Sequence, residues 1–347
     1  MKRLPTSDTD HSIARRIIEA SAAVQRLLAI VTTAMLALTS FAHSGTAQTF
    51  PNRPIRIVIG YPPGGGIDFT GRLIADRLSK AYGQPVVVEN KAGAGGQIGA
   101  DAVSKARADG YTLLFTVGSD LVWMKFLTKR KTVDPLQELT PIATALASIS
   151  GIAVTATSPY ATLKDLVDAA HESPGKLTYG TAGIQTVYYL YGEMLKQNGV
   201  NMTHVPYTGT PPIVTALLAN EIDAGMLTVA LAMPQVKDGK MRLLGIFDPT
   251  RYPGAPDVPA IRETLPAFNA PVSWFGFFAP PGLPEDLAER LNRDIAAAVQ
   301  SPDVEAKILS QYQRPMITPL AEMRPFIRET TDIFRKLIET AKIQPLD

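Results

Sequence analysis

Pro63-Gly64-Gly65-Gly66 stands between a short β-branched run, Ile55 to Ile59, and a stretch whose apolar residues Phe69, Leu73, Ile74 and Leu78 recur at helical spacing. At such a strand-to-helix turn the first N–H groups of the helix lack partners, its dipole is positive, and glycines let a ligand reach the backbone. The chemistry on offer is anion binding. The same glycines would also serve a tight turn that only needs φ > 0, and spacing alone leaves both readings open. Asp68 is a candidate for ligand contact, but a capping role on the following helix is the simpler expectation.

A second glycine turn, Gly93-Ala94-Gly95-Gly96-Gln97-Ile98-Gly99, has the spacing GxGxxxG, not the GxGxxG of a dinucleotide fingerprint. It also follows the second candidate strand, whereas the fingerprint belongs to the first. No GK[ST] closes either turn, which excludes a phosphate loop. Beyond residue 47 the histidines are His171 and His204, far apart and outside any HExxH, and no GxSxG elbow is present. The chain has no cysteine, which removes thiol catalysis and Cys-ligated zinc. Carboxylates are scattered over solvated faces, with Glu89 beside Asn90 as a possible member of a network at a strand end. No catalytic residue, metal or cofactor is expected, and the chain reads as a binding protein and not an enzyme.

The elements that must hold these turns alternate strand and helix, which predicts α/β lobes built on mostly parallel sheets flanked by helices. Pro85 to Val88 and Tyr111 to Val117 are further strands, with a helix over Ala100 to Ala106. A related unit recurs where Leu177-Thr178-Tyr179 leads into Gly180-Thr181-Ala182-Gly183 and a helix carrying Leu190, Met194 and Leu195. Further strands are expected at Thr203 to Tyr207, Ala224 to Val229 and Arg242 to Phe247. The long apolar segments Ile142 to Thr155 and Val272 to Ala279 are candidates for crossings between lobes. Near the C-terminus, Pro284 with Glu285 and Asp286 opens one helix, and Ile327, Phe334, Leu337, Ile338 and Ala341 form the stripe of a last one. That helix is expected on the first lobe, making it discontinuous: 48–150 and 275–347 for lobe 1, 151–274 for lobe 2.

Residues 1–47 read as a signal peptide. Lys2, Arg3, Arg15, Arg16 and Arg26 precede the apolar run from Leu27 to Leu38, and small residues around Ala42 and Ala47 follow. The apolar run is too short to stay in a bilayer. Five of the 34 Lys/Arg and three of the 32 Asp/Glu fall in this segment, leaving the remainder balanced at 29 of each. With no Lys/Arg-rich block downstream, nucleic acid and anionic membranes are not expected partners. The expected mature form is periplasmic, soluble and monomeric.

The segments together resemble the receptors of tripartite tricarboxylate transporters, the Bug family of extracytoplasmic solute receptors. The resemblance runs from Phe50 to the C-terminus. It rests on Arg53-Pro54-Ile55, Tyr61-Pro62-Pro63-Gly64-Gly65-Gly66-Ile67-Asp68, Val87-Val88-Glu89-Asn90-Lys91-Ala92-Gly93-Ala94-Gly95-Gly96, Asp109-Gly110-Tyr111-Thr112-Leu113-Leu114, His204-Val205-Pro206-Tyr207, Ser273-Trp274-Phe275-Gly276 and Ala279-Pro280-Pro281-Gly282.

What the resemblance implies is a Venus flytrap that closes on a small organic carboxylate and presents it to the permease subunits of a tripartite transporter. It assigns the ligand to the loop Tyr61, Pro63, Gly64, Gly65, Gly66, Ile67 and Asp68, and to Thr181, Gly183, Gln185 and Thr186 of the second lobe. Ser119, Tyr189, Tyr207 and Leu227 are further positions, with Tyr189 and Leu227 also readable as core residues that face away from the cleft. Family members usually carry glycine at Gln185, histidine at Tyr189, often an acid at Leu227, and a small hydroxylated residue at Ile67. Those departures remove charge and add apolar bulk, so the expected ligand is an aromatic acid instead of citrate or an amino acid. A ligand-sensing subunit for a membrane kinase, or an exported enzyme using the same cleft, are the competing readings.

Overall fold

A computed structural model describes residues 50–341 together with Ile343 and Pro345. The expected signal peptide lies outside the described residues. In chain order the elements are β1 (Ile55–Ile59), α1 (Gly66–Tyr82), β2 (Val86–Asn90), α2 (Gln97–Ser104), β3 (Thr112–Val117), α3 (Gly118–Leu127), β4 (Thr140–Ser148), β5 (Ser150–Thr155), α4 (Leu163–Glu172), β6 (Thr178–Thr181), α5 (Val187–Gln197) and β7 (Thr203–Pro206). There follow α6 (Pro211–Leu218), β8 (Ala224–Thr228), α7 (Val229–Lys237), β9 (Met241–Ile246), α8 (Ile261–Thr264), β10 (Ser273–Ala279), α9 (Glu285–Val299), α10 (Pro302–Ser310), β11 (Gln313–Pro315) and α11 (Leu320–Ala341).

Two sheets result, of order β11-β4-β10-β3-β1-β2 and β7-β6-β8-β5-β9. Each is mixed. β1 is parallel to β2 and β3, and β6 is parallel to β7 and β8, as the strand-helix alternation requires. The antiparallel pairs all involve β4, β5 or β10, the strands by which the chain passes from one sheet to the other. A strand that arrives from the opposite sheet enters from the loop end, and so runs against its neighbours. The segment Ile142 to Thr155 is two strands in different sheets, with Ile149 alone between them.

The helix α1 begins where the glycines end and stops at Gly83, which takes the left-handed conformation at φ 62°. Its buried face is Ile67, Thr70, Gly71, Ile74, Ala75 and Leu78. Phe69, expected on that stripe, is 41% exposed. The helix begins at Gly66, so Phe69 falls one position off the row that meets the sheet.

The buried helix α3 packs on β10, and α11 lies across α3 and β4 through Met323, Ile327 and Phe334. Gly118 at the start of α3 lies against the Trp274 indole, and a Cβ there would overlap the ring. The largest cluster of buried side chains runs from Trp123 and Trp274 through α3 and α5 to Ile152 and Met226 of the second sheet.

Candidate functional site

The two sheets point their loops at one another around a cavity of about 420 Å³. On one side are the β1–α1 turn and the second glycine turn. Facing them are the entry to α5 and the loop after β7, and the floor is made by the ends of the crossing strands. The wall is largely apolar: Pro62, Pro63, Ile67, Val117 and Phe275, with the rings of Tyr61, Tyr188 and Tyr207. No lysine, arginine or histidine lines it among the described residues.

In the first turn, Gly65, Gly66 and Ile67 line the cavity, and the amides of Gly66 and Ile67 belong to the first turn of α1, where no intrahelical acceptor exists. Gly65 has φ −81°, open to any residue, and a Cβ built on it meets no atom within 4 Å. Nothing in the backbone demands glycine at this position; what a side chain would take away is space in the cavity. Gly64 differs. Its φ is +87°, its N–H donates to Asp68 Oδ2 at 3.1 Å, and it does not line the cavity.

Asp68 is neither the cap of α1 nor a wall residue; Gly65 holds the cap position. Its carboxylate accepts from Arg72 Nε at 3.0 Å and Asn90 Nδ2 at 2.9 Å as well as from Gly64. Asn90 Nδ2 also donates to the Tyr61 carbonyl at 3.1 Å. Burial alone would raise the Asp68 carboxyl, but the bonds from Arg72, Asn90 and Gly64 hold it below the ordinary carboxylate range. Asp68 fixes the shape of the turn from behind.

Across the cavity, Gln185 and Thr186 line the wall and Thr181 and Gly183 do not. The Thr181 hydroxyl is fully buried, 2.6 Å from His204 Nε2 and 3.3 Å from the Gly183 amide, which donates to it. Gly183 is at φ +107°, and its carbonyl accepts from the Thr186 hydroxyl at 2.9 Å. These groups shape the loop from inside. Burial lowers the His204 imidazole to about 4, so it is neutral in this stack between Tyr179 and Tyr189.

Three further expectations are corrected. Tyr189 turns away from the cavity to the His204 ring, 5.3 Å between centroids, and Tyr188 takes the wall position, its hydroxyl 3.0 Å from Ser150 Oγ. The helix starts at Val187, so the phase is one residue from the expected one. Leu227 is fully buried among Ile149, Ile213, Leu217 and Val229. Strand alternation sends Met226 to one face of β8 and Leu227 to the other, under α6 and α7. Ser119 is buried behind the wall, its hydroxyl 3.5 Å from that of Ser273.

Several wall residues escape sequence reasoning. Ser148, Thr228 and Ser273 line the cavity from strand ends, and the buried hydroxyls of Ser148 and Thr228 have no partner among the described residues. Asp120 is the other. It is 3% exposed, lines the cavity, accepts from Tyr61 Oη at 2.7 Å through Oδ2, and accepts from the Val187 amide at 3.0 Å through Oδ1. Burial pushes its carboxyl up to about 7, against the pull of the Tyr61 and Val187 bonds. The available signal is a lone acid immediately before the mostly apolar run from Leu121 to Leu127.

The family described as tripartite tricarboxylate transporter family receptor matches residues 70–343 of this chain. A UPF0065 protein encoded in the tcbD-tcbE intergenic region of Pseudomonas sp. (strain P51) is 37% identical over 283 residues, covering 81% of this chain and 83% of the relative. A solved periplasmic transporter superposes with a TM-score of 0.79 at 32% identity, over 85% of this chain and 99% of the other. An R. palustris protein solved with adipate gives a TM-score of 0.81 at 29% identity, over 86% and 100%.

Proposed function

Since the chain belongs to the tripartite tricarboxylate transporter receptors, a family of periplasmic solute-binding proteins, we propose that it captures a small organic carboxylate between its lobes and delivers it to membrane permease subunits. The observation that carries the reading is the first glycine turn: open first-turn amides and a Gly65 whose missing side chain leaves room face a mostly apolar cavity. A solved neighbour holds an organic acid, adipate. The first-turn amides are the groups that would hold the acid, and the ligand is released unchanged in this reading.

An aromatic acid is the ligand that the wall favours. Tyr189 and Leu227, two of the four departures that suggest it in the sequence, face away, but Ile67 and Gln185 remain in the wall and Tyr61, Tyr188, Tyr207 and Phe275 join them. The moving bodies are 48–150 with 275–347, and 151–274. Residues 1–47 direct export, and no helix among the described residues is long and apolar enough to cross a membrane. A thermal-shift screen of purified protein tests the reading. Aromatic monocarboxylates should raise the melting temperature most and citrate least; stabilisation by tricarboxylates alone overturns the aromatic assignment, and no stabilisation by any acid overturns the carboxylate reading.

A further inference from the structure

A carboxyl group of the protein itself already sits at the entry to α5. Asp120 reaches from the first lobe and takes the Val187 amide, an N–H at the positive end of α5 where an anion is favoured. Of the neighbouring amides in that turn, Thr186 is committed to the Gly183 carbonyl and Tyr189 to the Thr186 carbonyl. The facing end of the cavity, at Gly65 to Ile67, has no such internal acid. We propose that Asp120 is a specificity-determining residue: it fills the position that a second ligand carboxylate would need, so this receptor takes monocarboxylates and rejects dicarboxylates.

The inference rests on the carboxylate reading above and narrows it. A dicarboxylate would bring its second charge to a wall that offers no cationic side chain among the described residues and one acid. Like charges beside a mostly apolar wall disfavour one another, and the nearest relief, an ammonium or guanidinium, is absent from the wall among the described residues. A monocarboxylate avoids the conflict. Its acid end meets the amides of Gly66 and Ile67, and its uncharged end lies toward Asp120, Ser148 and Thr228. The hydroxyls of Ser148 and Thr228, buried and unpartnered, suit an uncharged polar substituent there.

The groups that face Asp120 are Tyr61 from the β1–α1 turn and Val187 and Tyr188 from α5, with Tyr191 one turn further on. Tyr61 has one proton and two acceptors in reach, Asp120 Oδ2 at 2.7 Å and the Gly95 carbonyl at 3.1 Å. While Asp120 is ionised the phenol donates to it. When Asp120 holds a proton it can donate to the phenol oxygen, and the phenol then donates to Gly95. Binding of an anion beside this group is favoured by the neutral form, so affinity should fall as pH rises through about 7.

The test is calorimetric titration of the purified full protein with matched pairs, hexanoate against adipate and benzoate against terephthalate, at pH 6 and pH 8. At pH 8 each monoacid should bind at least about tenfold tighter than its diacid, the factor that one pKa unit of charge conflict corresponds to. The gap should narrow at pH 6. Asp120→Asn keeps the shape and an acceptor for Val187, and should close the gap and flatten the pH profile. Tyr61→Phe, which removes a bond that favours the ionised acid, should move the pH midpoint upward. Diacids binding as tightly as monoacids at pH 8, or an unchanged gap in Asp120→Asn, would overturn the assignment while leaving the carboxylate reading in place. Failure of every acid to bind overturns both.

Discussion

Gly65 and Gly64 are neighbours in sequence and do different work. Gly64 is at positive φ with its amide bound to Asp68, so any other residue there strains the turn. Gly65 has an ordinary backbone and open space where a side chain would go. Gly65→Val should therefore leave the melting temperature of the empty protein within a few degrees of the wild type and weaken ligand binding by about 2 kcal/mol or more, as expected for bulk in the position of a bound acid. Differential scanning fluorimetry with and without ligand measures both. A variant that melts much earlier yet binds as before would show the turn to be structural only. The turn itself was legible in the sequence as a strand, three glycines and a helix, but which glycine lines the cavity depends on φ, and φ is not written in residue type.

The helix α3 shows why some of the site was hidden. Its residues are apolar apart from Ser119, Asp120 and Lys125, and it is buried on nearly every side. Such a helix carries no periodicity that says which face meets a cavity. Ser119 was the candidate and Asp120 is the wall residue, and in α5 Tyr189 and Tyr188 trade places in the same way. The strands were legible because β-branched runs end at glycine or proline, and their order within the sheets follows from where the chain crosses. The start of α3 is fixed by packing: Gly118 admits the Trp274 indole, and Gly118→Ala should destabilise the protein by about 1–3 kcal/mol through overpacking. Urea unfolding monitored by tryptophan fluorescence reads it, and an unchanged midpoint would show that Trp274 has room to move.

The loops of the two sheets touch above the cavity at Gly95 and Gln185. A Cβ on Gly95 would lie 2.7 Å from the Gln185 Cβ and 2.8 Å from its carbonyl oxygen, and Gly95 is also at φ +61°. Gly95→Ala should hold the halves apart. In small-angle scattering the wild type should contract on adding a saturating acid, while the variant stays expanded and binds more weakly. No contraction in the wild type would mean that binding does not require the lobes to move.

Ile149 is a single buried residue between the last paired position of one sheet and the first of the other, while the return path through 247–272 is far longer. The arrangement is that of a lever on a short pivot with a long strap beside it, pinned to the core by Phe247, Tyr252, Ile261 and Phe268: a small torsion at the pivot sweeps the loop tips through a much larger arc. One extra residue beside Ile149 would turn the side chains of β5 to the opposite face and misalign both jaws at once.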